Sequence, residues 1–188
     1  MAADLMSEAD WNEIGTVKLQ KLAYYTFGWY GYLTGTSLFD QQFYAMPHGP
    51  VVGELLSLHA GTLTVSRDRV ESARSEFDDT YVEPDAYYER VVEAVTGFYG
   101  AIDQWVLRDM THEDEVWKQA WEGRGKDSRR APLPQKKIID FFARRDDMPA
   151  QLQHTLPPRA VTILDEAAWS DLQAMLESDP QATPRGLV

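Results

Sequence analysis

Between Val17 and Leu33 the chain reads V-K-L-Q-K-L-A-Y-Y-T-F-G-W-Y-G-Y-L, its densest apolar and aromatic run. Leu19, Leu22, Ala23, Phe27, Tyr30 and Leu33 follow the three-and-four spacing of one helical face. Tyr24, Tyr25, Trp29 and Tyr32 cover most of the remainder. A helix apolar nearly all round belongs inside a bundle, because an exposed side would leave aromatic surface in water. Gly28 and Gly31 each cost such a helix roughly 1 kcal/mol relative to alanine, so they imply either a close helix crossing or a kink. Gly35 supplies the C-terminal stop.

A second apolar stripe, Tyr88, Val91, Val92, Val95, Phe98, Ile102, Trp105 and Val106, predicts another core helix, opened by Pro84 and unbroken to Arg108. Thr111-His112-Glu113-Asp114 has the form of a capping box for a helix carrying Trp117, Ala120 and Trp121 and ending at Gly123. Gln135 to Arg145 predicts a short helix with Ile138, Ile139, Phe141 and Phe142 inward. Near the start, Ser7 or Asp10 caps a first helix carrying Trp11 and Ile14.

Other stretches pattern less clearly. Leu38 to Met46 lacks a helical period, and a short strand is expected around Gln42 to Ala45. Pro47-His48-Gly49-Pro50 is a turn, with Pro50 placed to open a helix that stops at Gly61. Thr62 to Glu83 reads as a polar loop with short strands at Leu63–Val65 and Tyr81-Val82. Asp146 to Pro158 reads as a linker, bounded by Met148-Pro149 and Leu156-Pro157-Pro158. Beyond it come an expected strand at Ala160 to Leu164, an amphipathic helix capped by Asp165 with Trp169, Leu172, Met175 and Leu176, and a disordered tail. The expected architecture is mainly α: a single helical bundle-like domain over 1–147 with a few short β-strands, and a small proline-tethered C-terminal extension over 148–188.

Composition narrows the function. With 188 residues the chain can bury a proper core, and the absence of cysteine excludes disulfides and thiolate metal sites. The acidic start, Met1 to Asp10, has no basic region followed by an apolar stretch, and no apolar run approaches the roughly 20 residues of a membrane span. A cytoplasmic protein with no membrane partner is expected. The net charge of −12 disfavours nucleic acid, whose phosphates are neutralised by Lys and Arg. One basic loop, Arg124 to Pro134, stands against it: Arg124, Lys126, Arg129 and Arg130 can meet an acidic partner or remain solvated.

No catalytic pattern is visible. His48, His59, His112 and His154 are far apart in sequence, and H-E-x-x-H, glycine-rich phosphate loops and G-x-S-x-G are absent. His112-Glu113 is too short a signal for zinc, which usually takes three protein ligands in a catalytic site. No catalytic residue, metal or cofactor is therefore assigned. His48 reads as stabilising its turn and His112 as helping to cap a helix.

Several motifs do occur together. They are K-L-Q-K-L-A-Y-Y at Lys18 to Tyr25, L-F-D at Leu38 to Asp40 and Y-A-M-P-H-G-P-V-V at Tyr44 to Val52. M-T-H-E-D-E-V-W-K-Q-A at Met110 to Ala120 and K-K-I-I-D-F-F at Lys136 to Phe142 follow. In this order and spacing they resemble the Panacea domain, the family that includes SocA-type antitoxins and phage-associated GepA-like proteins. Two positions depart from its pattern: Val116 precedes Trp117 where the family commonly has proline, and Tyr44-Ala45-Met46-Pro47 replaces a tryptophan-rich segment.

The resemblance implies a helical antitoxin that binds and neutralises a cognate toxin, encoded beside it, with no catalytic residues. One mode in the family delivers the toxin to the ClpXP protease. The motif residues Lys18, Gln20, Lys21, Tyr24, Tyr25, His48, Gly49, Pro50, Thr111, His112, Glu113 and Trp117 are then expected to serve the fold more than the partner. The candidate partner-binding residues are Arg124, Lys126, Arg129 and Arg130 of the basic loop, with Trp169 and Leu172 of the C-terminal helix. Two alternatives stay open: a DNA-binding autoregulator, and a metal-dependent hydrolase using His48 and His112.

Overall fold

A computed structural model describes residues 1–76, 85–161, 169–171 and 173–174. It is mainly α, organised on the helix expected from the aromatic run. In order, the elements are α1 (Ala2–Glu8), β1 (Glu13–Gly15), α2 (Thr16–Thr34), β2 (Phe43–Met46), β3 (Gly49–Val52), α3 (Gly53–Leu58), β4 (Thr64–Ser66) and α4 (Arg67–Glu76). They continue with α5 (Ala86–Tyr99), α6 (Gln104–Glu113), α7 (Glu115–Glu122), β5 (Ala131–Leu133), α8 (Gln135–Ala143) and α9 (Ala150–Thr155).

Helix α2 is buried on nearly every side, with α5, α6, α8 and β3 around it. Its two glycines are explained by α8: a Cβ on Gly28 would lie 2.3 Å from the Phe142 ring, and one on Gly31 would lie 2.7 Å from Ile139 Cγ1. The helices therefore cross in contact, and the glycines are the seats of that crossing. Gly35 ends α2 in the left-handed conformation at φ 71°, as expected.

Two small antiparallel sheets flank the bundle. β1 pairs with β4, matching Ile14 to Val65. The order β3-β2-β5 makes the other, with Tyr44 opposite Val51 and Pro132.

Several expectations are corrected. Ile14 belongs to β1, not to a first helix, because Gly15 and the pairing with β4 separate α1 from α2. Pro50 does not open a helix. It pairs with Ala45 on edge strand β3, where a proline removes no needed ladder bond, and α3 starts at Gly53. The stripe from Tyr88 to Val106 is interrupted: α5 ends at Tyr99, and Asp103 caps α6 by accepting from the Trp105 N–H at 2.8 Å. Pro84 lies outside the described residues, and Asp85 is the observed N-cap, accepting from Tyr88 N–H.

Thr111 caps nothing. It lies inside α6, its hydroxyl donating to the Arg108 carbonyl, and Asp114 separates α6 from α7. The basic loop ends in strand β5. Helix α4, in the segment read as loop, buries Val70 among its described side chains. Polar contacts hold it: Arg67 donates to the Trp11 and Met6 carbonyls, and Arg74 pairs with Asp4.

The segment Asp146 to Pro158 is not a bare linker. Pro149 begins α9, whose Leu152 is fully buried beside Leu156 in the main core. The chain then lies along α2: Ala160 N–H donates to the Leu33 carbonyl and Arg159 Nε to the Tyr32 carbonyl. Tyr81, Val82, most of the strand expected at Ala160–Leu164, and Leu172 lie outside the described residues.

Candidate functional site

The motif residues converge on the β2–β3 hairpin. α2 runs beneath it and α6 alongside. Gln20 Oε1 accepts from the Val52 N–H at 2.8 Å and Nε2 faces the Val52 carbonyl at 3.4 Å, so one amide clamps both backbone groups of a strand residue. The same Nε2 lies 3.0 Å from His59 Nε2. Burial holds the His59 ring below the ordinary histidine range. The next residue, Lys21, is fully enclosed and donates to the Pro50 carbonyl at 2.8 Å. Burial, reinforced by the nearby Arg108, pulls its ammonium down to about 7.

Gly49 closes the hairpin at φ 94°, a conformation glycine adopts without penalty. A Cβ there would lie 2.6 Å from Thr111 Oγ1 and 2.8 Å from Lys21 Nζ. The glycine lets the turn sit directly on those two groups. His48, at the tip, meets Trp105 edge-on with centroids 5.9 Å apart. Trp117 reaches back under the hairpin, donating from Nε1 to the Met46 carbonyl at 3.3 Å, and His112 stacks on it at 4.2 Å. His112 Nε2 is buried without a hydrogen-bond partner, and burial together with Lys21 and Arg108 lowers its pKa.

Farther along α2, Tyr24 donates to Asp114 Oδ2 at 2.9 Å, while Arg145 holds Asp114 Oδ1 at 3.1 Å. Burial pushes the Asp114 carboxyl up to about 6, against the pull of Arg145. Burial disfavours the Arg145 charge as well, but Asp147 and Asp114 outweigh it and hold the guanidinium above its ordinary pKa. Tyr25 stacks on Tyr99 at 3.9 Å, and burial raises both phenols. Lys18 donates to the Gly100 carbonyl at 2.6 Å, closing the gap between α5 and α6; Glu113 pairs with Lys118.

Gln20, Lys21, Tyr24 and Trp117 thus spend their polar groups inside the molecule, tying α2 to the hairpin and to the α6–α7 joint, while His48 and Glu113 are exposed. Of the described candidate partner-binding residues, Arg130 alone reaches the hairpin. Arg124 lies over the Trp121 ring at 3.6 Å and Arg130 over Tyr44 at 4.6 Å, while Lys126, Arg129 and Trp169 are exposed.

The model of the antitoxin SocA-like Panacea domain matches residues 19–118, more than half of the chain. The chain belongs to that family. No curated protein and no solved structure matches it significantly. The Panacea match spans α2, the hairpin and the α6–α7 joint, the elements on which the clamped groups meet.

Sequence reasoning missed Asp114, Arg145, His59 and Trp105 as members of this arrangement. Asp114 was legible only as part of a capping motif, and nothing in the local sequence marks Arg145, 31 positions away, as its partner. Among the described residues no group of three or more His, Cys, Asp or Glu side chains is placed to hold a metal ion, so His48 and His112 have no third ligand there. No described helix is long and apolar enough to cross a membrane.

Proposed function

We propose that this protein is an antitoxin that neutralises a cognate toxin by direct protein–protein binding in the cytoplasm. The observation that carries the reading is its membership of the SocA-like Panacea family over residues 19–118. The arrangement of the motif residues supports it: Gln20, Lys21, Tyr24 and Trp117 are turned to internal partners, as in a scaffold that presents surface rather than chemistry. The toxin is encoded by an adjacent gene, and neutralisation is by occupation of its surface or by delivery to a ClpXP-type protease.

The test is a growth assay. Each neighbouring reading frame is induced alone and then together with this chain. Arrest by one neighbour and recovery on co-expression is the expected result; the absence of a toxic neighbour overturns the antitoxin reading. Stable toxin in rescued cells selects occlusion, and toxin loss dependent on the protease selects delivery.

A further inference from the structure

Carboxylates outnumber lysines and arginines in this chain, 30 to 18, and the exposed Arg74, Arg90 and Lys136 each meet one. The segment 124–130, R-G-K-D-S-R-R, departs from that. It carries four cations and one acid. Among the described residues no ion pair includes Arg124, Lys126, Arg129 or Arg130, and Asp127 is exposed and joins none. Despite the surplus of acids, this cation excess is left without an internal counter-charge.

The loop is also built. Ser128 N–H donates to the Gly125 carbonyl at 2.9 Å, and Ser128 Oγ accepts from Arg130 N–H at 3.3 Å while its hydroxyl donates to the Arg130 carbonyl. The Arg124 guanidinium lies 3.6 Å from the Trp121 ring centre and donates to the Trp121 carbonyl at 2.6 Å; its Nε is buried without an acceptor. Trp121 in turn stacks on Trp117, so Arg124 rests on a packed aromatic column. Arg130 lies 4.6 Å from the ring centre of Tyr44 on β2. A guanidinium laid on a ring keeps in-plane N–H groups for a planar acceptor such as a carboxylate. Holding the planes in advance lowers the ordering cost of binding, and arginine beside half-buried tryptophan and tyrosine is the composition that concentrates binding energy.

Net charge decides the kind of anion. Nucleic acid brings a continuous polyanion, which the acidic remainder of a chain of net charge −12 repels, whereas a short run of carboxylates is matched by the loop alone. We propose that the loop 124–130, with Arg124 set on Trp121 and Arg130 set on Tyr44, is the docking site for an acidic segment of a partner protein, whose carboxylates pair with the two held guanidinium groups. This deepens the antitoxin reading by naming the surface and the chemistry it takes, and it rests on that reading only for the identity of the partner.

The experiment titrates the isotope-labelled full chain with hexaglutamate, with the neutral hexaglutamine and with a single-stranded oligothymidylate of the same length. Hexaglutamate is expected to shift the backbone resonances of residues 124–130 and the Trp121 indole, and hexaglutamine to leave them in place. Lys126→Glu combined with Arg129→Glu, at exposed positions, should abolish the shifts while leaving the circular dichroism unchanged. Arg124→Lys combined with Arg130→Lys keeps every charge but loses the planar forks, and should weaken hexaglutamate about tenfold, the worth of a hydrogen bond to a charged group. Equal binding of hexaglutamine, shifts confined to other regions, or unchanged affinity in the lysine variant overturns the site. Tighter binding of the oligothymidylate at the same residues assigns the loop to nucleic acid and overturns it as well. In the growth assay both variants should lose rescue. If the wild type rescues and both variants rescue equally, the surface is refuted and the antitoxin reading stands. If no neighbour is toxic, that reading falls, and the titration still decides the loop.

Discussion

Replacing Gly28 by alanine sets two effects of known size against each other. Glycine inside a helix is about 0.5–1 kcal/mol less favourable than alanine, so propensity alone predicts a stabilised protein. The structure predicts the reverse. The new methyl would lie 2.3, 2.4 and 2.5 Å from three carbons of the Phe142 ring, whereas carbon atoms rest at roughly 3.5–4.0 Å. Phe142 is fully buried and packed edge-to-face against Tyr24, Trp29 and Tyr25, with centroids 5.4, 5.0 and 6.3 Å away, so it cannot yield without displacing them. Overpacking a filled core costs about 1–3 kcal/mol, sometimes more, which exceeds the propensity gain. Gly28→Ala should therefore destabilise by roughly 1–2 kcal/mol, a loss of about 2–8 °C for a chain of this size. Gly97, also inside a helix, has nothing within 4 Å of its Cβ position, so Gly97→Ala should stabilise by about 0.5–1 kcal/mol. Urea unfolding followed by circular dichroism reads both. A Gly28→Ala midpoint at or above the wild type would refute the close crossing of α2 and α8. Adding Phe142→Leu to Gly28→Ala should cost less than the two changes summed, since the smaller ring-free side chain relieves the overlap.

Other changes test the buried charges and the C-terminal boundary. Arg145→Met leaves Asp114 buried without its cation and should cost about 3–5 kcal/mol at neutral pH, less at pH 5, where the carboxyl takes up a proton. In the wild type the folded Asp114 pKa, about 6, lies above its ordinary 3.8, so the folded state holds the extra proton. Its contribution is complete below about pH 4 and is lost as pH rises through 6; Asp114→Asn should flatten that segment of the stability profile. Lys21 has the opposite slope, because its folded pKa, about 7, lies below its ordinary 10.5 and the unfolded chain binds the extra proton. Stability should climb from pH 7 toward 10, and Lys21→Met should remove the climb, as read by denaturant titrations across that range. Finally, a chain ended after Met148 loses buried Leu152 and Leu156, each worth about 2–5 kcal/mol on truncation, and should unfold at much lower urea than one ended after Val161.

The central helix was legible because its signal is local: a side chain buried on any face must be apolar, and α2 is buried on nearly all of them. Its glycine stop and the helix carrying Ile138 followed from periodicity and turn chemistry. The strand expected around Gln42 to Ala45 is found at Phe43–Met46, and the helix carrying Trp117 is present although Thr111 does not cap it. The motif order in the sequence also placed the chain in its family. What tertiary structure decided is of another kind. Pro50 has the same fixed φ on a helix start and on an edge strand, and the partner strand β2 made the choice. Among its described side chains helix α4 buries only Val70 in the core, so its evidence lies in Arg67 and Arg74 reaching residues of α1 and the turn after it. A proline-bounded segment looks the same whether it dangles or docks, and only the pocket that receives Leu152 distinguishes the two. The joining of Tyr24, Asp114 and Arg145 was invisible for the same reason. A hydrogen-bonded charge carries no periodicity, and the three come from three separate parts of the chain that meet only once α2 is covered.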